Sequence, residues 1–254
     1  MQEFGLQLYS VRDTTEKNME DTLKKVSEMG YKFVEFAGFF DYTPDQINNW
    51  LKAYNLKCYG THTGIDGVSD ENIEKTIAYH KAIGCKNIIV PGADWSSKES
   101  FDKNIETLKK ASERLKKEGM TLGYHNHSNE FFPTSYGKIV EDEIIDNTDL
   151  ELEIDTFWSY NAGKDNLELL ESLKDRIKVI HLKDGIATAP ENRNINDCHK
   201  GVTEFSVGLG KAPIDATVDW CIKNNVRIVV ESESLTPDGL SEVKRCIDYL
   251  CHNN

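Results

Sequence analysis

The run Leu150-Glu151-Leu152-Glu153-Ile154-Asp155, continuing into Thr156-Phe157-Trp158, decides how the rest of the chain is read. Apolar and acidic residues alternate over six positions, the period of a β-strand whose two faces differ chemically. Leu150, Leu152 and Ile154 share one face, suited to packing beneath helices. Glu151, Glu153 and Asp155 share the other, so Asp155 points inward at the strand's C-terminal end.

Further short β-rich runs lie on either side, at 4–9, 33–36, 57–61, 87–90, 121–125, 177–181 and 227–231. Helical patterns separate them at 18–29, 44–54, 69–83, 98–118, 136–145, 167–173, 215–224 and 240–250. Gly30 stands where a helix C-cap glycine belongs, and Thr43-Pro44 caps and opens the next helix. Strand and helix in alternation predict βα units on a parallel sheet. Eight units in 254 residues match the roughly 250 residues of one TIM barrel. No Pro-, Ser- or Gly-rich linker divides the chain. The expectation is α/β class, a single (β/α)8 TIM-barrel domain over residues 1–254. An open doubly wound sheet is the alternative, because alternation alone does not establish closure.

Composition narrows the function. Lys and Arg number 30 against 43 Asp and Glu, a formal charge of −13. Such a field repels polyphosphate backbones and anionic membranes, so neither nucleic acid nor a membrane is an expected partner. It does not exclude a phosphorylated small substrate held by a few local cations. The sequence begins Met1-Gln2-Glu3-Phe4 without a basic segment and apolar core, so no signal peptide is expected. No stretch approaches the roughly 20 apolar residues of a membrane span. Six cysteines lie scattered without a CxxC pair and read as free thiols in a reducing cytoplasm. A homo-oligomer is compatible with the sequence and not fixed by it.

In barrels of this kind functional side chains lie at the C-terminal ends of the strands. Strand parity turns His125 and His127 inward on the fifth strand, Asp155 on the sixth, His181 and Lys183 on the seventh, and Glu231 and Glu233 on the eighth. A single strand-end His is more often a hydrogen-bonded polar residue, and a single acid a solvated charge. Together, His125, Asp155, His181 and Glu231 suit one divalent ion such as Mn²⁺, Zn²⁺, Co²⁺ or Mg²⁺. Other candidates carry an ordinary reading beside the functional one. His62, ending the third strand, reads as a substrate contact or acid. Glu35 reads as a sugar contact or a structural ion pair, and Lys183 as a substrate contact or a partner of Asp155 or Glu153. Trp158 and Trp95 suit stacking on a sugar or plain packing. Gln7 and Tyr9 point inward from the first strand, with Gln7 read as a substrate contact. Gly208-Leu209-Gly210-Lys211 reads as a rim loop allowing close backbone approach to a ligand; its glycine spacing is not a nucleotide fingerprint.

Five segments occur in order: Gly5-Leu6-Gln7-Leu8-Tyr9-Ser10-Val11-Arg12-Asp13, Gly123-Tyr124-His125-Asn126-His127, Ile154-Asp155-Thr156-Phe157-Trp158, His181-Leu182-Lys183-Asp184 and Val230-Glu231. As a set they resemble the xylose-isomerase-like TIM-barrel superfamily, in its sugar phosphate isomerase/epimerase branch. The resemblance implies a divalent ion held by Glu, Asp, His and Glu at the ends of strands five to eight. Asp155, His181 and Glu231 match the last three. His125 stands at the usual glutamate's place, which favours Zn²⁺, Mn²⁺ or Co²⁺ over Mg²⁺ and removes one of two proton-transfer carboxylates. DNA-repair endonucleases of the superfamily need extra histidines, and Trp158 stands where one would lie.

The expected activity is that of a metal-dependent isomerase or epimerase acting on a sugar, keto-sugar or sugar phosphate through an enediolate. Glu231 or His125 is the expected base. A lyase or dehydratase on a keto-sugar or keto-inositol is the alternative, and the His-for-Glu change favours it. A sugar-binding protein without turnover is the rival outside enzymes.

Overall fold

The computed structural model describes residues 2–253. The strands are β1 (Phe4–Gln7), β2 (Phe33–Phe36), β3 (Lys57–His62), β4 (Asn87–Val90), β5 (Thr121–His125), β6 (Glu151–Asp155), β7 (Ile177–Leu182), β8 (Asp184–Ile186), β9 (Thr203–Phe205) and β10 (Arg227–Val230). The helices are α1 (Arg12–Thr15), α2 (Met19–Met29), α3 (Pro44–Ala53), α4 (Ile73–Ala82), α5 (Lys98–Lys116), α6 (Val140–Asn147), α7 (Thr156–Asn161), α8 (Asn166–Leu173), α9 (Ile214–Asn224) and α10 (Gly239–Asn253).

Seven consecutive strands, β1 to β7, and then β10 close into a parallel barrel. Closure is made by β1, whose Gly5 pairs with Phe33 of β2 on one side and Val229 of β10 on the other. The open-sheet alternative is thereby excluded. Gly5 is required there: a Cβ would stand 2.2 Å from the Phe33 ring. The result is the α/β TIM barrel.

Local chemistry sets the element ends. Asn18 caps α2 by accepting from the Asp21 amide, and Gly30 closes it at φ 112°, a conformation that disfavours any residue with a Cβ. Thr43 and Gln46 form a capping box ahead of Pro44. The first strand is shorter than its sequence suggests. Gln7 accepts from the Tyr9 amide and turns residues Leu8–Val11 into a 3-10 helix, lifting Tyr9 to the rim. The helix expected at 136–145 lies at Val140–Asn147. Three features were not foreseen, the short helices α1 and α7 and the antiparallel hairpin β8–β9 inside the long connection after β7.

The outer face of each strand packs under the helices in one large cluster that includes Leu6, Val34, Ile88, Leu122, Leu152, Ile154, Ile180, Leu182 and Val230. Inside the barrel, Phe33, Val179 and Val229, with Tyr59 against them, make a small apolar plug. The same strands bury polar groups further along: Gln7, Glu35, Glu153 and His181, each at most 1% exposed. An apolar floor thus lies beneath a polar tier in a low-dielectric wall, which strengthens every charge interaction above it. Among the described residues no helix is long and apolar enough to cross a membrane.

Candidate metal centre and active site

Asp155 is fixed by the helix it starts. Its Oδ1 accepts from the Phe157 and Trp158 amides at 2.9 and 2.8 Å, as the N-cap of α7. Its Oδ2 is buried with no hydrogen-bond partner. Neighbouring strand ends are tied to it. Asn126 accepts from the Asp155 amide at 3.0 Å, and Thr156 Oγ1 donates to the His181 carbonyl at 2.9 Å. Asp155 and His181 are also register partners, and the Glu231 amide extends the β7–β10 pairing by donating to the Leu182 carbonyl.

This scaffold brings His125, Asp155, His181 and Glu231 together, with one donor atom from each within 4.8 Å of all the others. A second group, His62, His125, Glu153 and His181, meets the same distance condition. The hydrogen bonds separate their roles. Glu153 Oε1 is the common acceptor for His62 Nε2 at 2.8 Å, His181 Nε2 at 3.0 Å and His125 Nδ1 at 3.2 Å. Glu35 Oε1 takes His181 Nε2 at 2.9 Å and His62 Nε2 at 3.0 Å. With its Nε2 held there, His181 turns Nδ1 toward Glu231 Oε2, 3.2 Å away. A carboxylate behind each imidazole is the usual way a metal-binding histidine is oriented. The first group therefore fits a divalent ion, with the unpartnered Asp155 oxygen as its plainest donor. Glu153 and Glu35 fit the supporting tier.

Burial and neighbours set the charges. Burial pushes Glu153 up to about 7, with the Glu35 charge adding to it. Burial likewise pushes Asp155 up to about 7 against the pull of Lys183. For Glu35 burial acts upward too, but His62 and His181 override it and hold the carboxyl well below its usual range. Glu231 behaves the same way, held down chiefly by Lys183 and His181. His62 is raised to about 9, burial being outweighed by Glu35 and Glu153. Burial lowers His125 strongly and His127 to about 4, so both are neutral near pH 7.

A cavity of about 370 Å³ opens above this cluster, lined by Tyr9, His62, His125, His127, Glu231 and Glu233 among others. His62, His125 and Glu231 thus stand where the sequence placed them. Four other candidates are engaged by protein partners. Gln7 is wholly buried, and its Nε2 donates to Glu35 at 2.6 Å, so it steadies that carboxylate below the cavity rather than meeting a substrate. Glu35 is also wholly buried and holds two imidazoles. Lys183 is paired with Glu233, Glu204 and Glu231 instead of Asp155 or Glu153, its ammonium 4.6 Å from the Trp158 ring centroid. Trp158 stands beside this group, whereas Trp95 packs on Phe101 and donates to Tyr124, in the outer cluster.

The glycine loop also has an internal reason. Asp184 accepts from the amides of Gly185, Gly208, Gly210 and Ala212 at 2.8 to 3.1 Å. A Cβ on Gly210 would stand 2.1 Å from Asp184 Oδ1. The close approach is to this carboxylate, with Lys211 left on the surface. Sequence reasoning passed over Asp184, Asn126 and the supporting role of Glu153. Only Glu153 had a signal, its shared parity with Asp155.

The sequence pattern of the xylose isomerase-like TIM barrel family matches residues 23–219. The chain belongs to that family. Among curated relatives, this xylose isomerase-like barrel is 24% identical to an inosose dehydratase of Mesomycoplasma hyopneumoniae, over 92% of this chain and 88% of the relative. It is 23% identical to a 2-oxo-tetronate isomerase of Haemophilus influenzae, over 67% and 74% of the two chains. Its fold matches that of a sugar phosphate isomerase/epimerase from Parabacteroides distasonis, with a TM-score of 0.79 at 19% identity, covering 98% of this xylose isomerase-like chain and 93% of that one.

Proposed function

We propose that this chain is a divalent-metal-dependent enzyme that removes a proton beside the carbonyl of a keto-sugar or keto-inositol and completes the reaction by eliminating water. The carrying observation is the unlike pair of groups in the cavity: the carboxylate of Glu231 and the imidazole of His62. Glu231 is kept ionised by Lys183 and His181, so it accepts a proton from the substrate carbon. His62 binds Glu35 and Glu153 through Nε2, which leaves its other ring nitrogen without a protein partner. From there it delivers a proton to the departing hydroxyl. The C–H electron pair becomes the new C=C bond as the C–O bond breaks, and the hydroxyl leaves as water. His125, Asp155, His181 and Glu231 would hold the divalent ion, which would supply Lewis-acid polarisation of the substrate carbonyl and so acidify the adjacent C–H.

The names of the curated inosose dehydratase relatives support elimination. The second reading is isomerisation, favoured by the 2-oxo-tetronate isomerase relative and by the fact that one base, Glu231, suffices to take a proton and return it to the next carbon. A D₂O incubation with candidate keto-inositols and keto-sugars plus Mn²⁺ separates these readings. Elimination predicts a product lighter by one water, with deuterium on the carbon that lost its hydroxyl, where the enol is protonated as it ketonises. Isomerisation predicts deuterium without loss of mass. Glu231→Gln is expected to slow exchange by about 10²-fold or more, and His62→Gln to slow loss of water more than exchange. Tight binding of every candidate with no exchange contradicts the enzyme reading.

A further inference from the structure

Beside the cavity that holds Glu231 lies another of about 480 Å³, lined by Trp158, His199, Val202, Glu204 and Ser234 among others. Glu233 lines both, so the two adjoin around one side chain. The aromatic wall is shared as well: the His127 ring of the first cavity lies 6.0 Å from the Trp158 ring of the second, centroid to centroid. Nothing in the reaction above uses the second space.

Its chemistry is selective. The Trp158 ring has the His199 ring edge-on at 5.0 Å and the Lys183 ammonium 4.6 Å from its centroid. Glu204 and Glu233 bring carboxylate acceptors, positioned by the Glu233 amide donating to Glu204 at 3.1 Å. Two of the lining residues, Trp158 and Ser234, each have a side-chain polar atom, Nε1 and Oγ, buried without a hydrogen-bond partner, a cost that a polar occupant able to reach them relieves. An aromatic surface beside carboxylates suits the C–H face and hydroxyls of a sugar ring. It opposes a phosphate, because the one cation among these groups, Lys183, is wholly buried and shared by three glutamates.

We propose that the second cavity is a subsite for a further uncharged, hydroxylated ring joined to the reacting unit. The substrate is then a glycoside-sized keto-sugar rather than a monosaccharide or its phosphate. This rests on the reading that the first cavity takes a keto-sugar.

Saturation-transfer NMR on the full chain with added Mg²⁺ tests it, using D-glucose, maltose, cellobiose, lactose and glucose 6-phosphate as unreactive probes. At least one disaccharide is expected to take saturation in both rings and to bind about tenfold tighter than glucose. Glucose 6-phosphate is expected to bind no tighter than glucose. Val202→Trp, which fills the second cavity, brings that disaccharide to the affinity of glucose; Thr203→Tyr narrows the same space if the first variant does not fold. Equal affinity of glucose and all three disaccharides overturns the proposal, as does a preference for the phosphate or an advantage that survives both fillings. Missing D₂O exchange leaves these affinities untouched and counts against the reaction alone.

Discussion

At the scale of single residues, burial decides which acids carry charge, and Glu141 isolates the effect away from the candidate metal ligands. It sits in the first turn of α6, 2% exposed, and its Oε2 has no hydrogen-bond partner. Burial, reinforced by the Glu130 charge, raises its pKa from 4.5 to about 8. The folded chain therefore holds this proton more tightly than the unfolded chain does. The stability this confers is complete below pH 4.5 and is lost as pH rises through about 8. Glu141→Gln copies the protonated form. Thermal unfolding across pH is expected to show little difference from wild type at pH 5 and a melting temperature several degrees higher than wild type at pH 9. A constant difference at all pH values contradicts the buried, neutral carboxyl. Residue-level legibility divides the same way. Parity placed Asp155, His181 and Glu231 on the inner face, because the strand period is two. It could not give depth, so it offered Gln7 as a substrate contact and left Glu35 between a sugar contact and an ion pair, whereas both lie beneath the cavity.

At the scale of elements, strand and helix order was readable from hydrophobic period, Gly30 and Thr43-Pro44, since these signals are local. The hairpin β8–β9 and its glycine loop were not, because they are held by a contact across some two dozen residues, from Asp184 to Gly208 and Gly210. No local pattern encodes that. The short helix α7 was missed for a related reason: its start depends on Asp155, which was read only as a metal ligand. Asp184→Ala leaves four amides without their buried acceptor. Its expected cost is about 3 kcal/mol of unfolding free energy, since hydrogen bonds to a charged group contribute about 1.5–3 kcal/mol each and neighbouring water recovers part of the loss. Urea unfolding measures this, and amide exchange at Gly208 and Gly210 is expected to quicken. Unchanged stability together with unchanged exchange contradicts the anchoring role.

At the scale of the whole molecule, closure converts eight separate strand ends into one site. Residues as distant in sequence as Glu35 and His181 meet at 2.9 Å only because β1 joins β2 to β10 and completes the ring. Above the apolar plug the barrel interior is built as support, with Glu35 and Glu153 turning imidazoles toward a common point. The account stands or falls on that point holding a cation. Metal content and affinity of the purified chain, by elemental analysis and titration with Mn²⁺, Zn²⁺ and Co²⁺, test it directly. The account predicts about one ion per chain, and for His125→Ala an affinity at least about tenfold weaker. A wild-type chain that binds none of these ions, or a variant that holds them equally well, contradicts it.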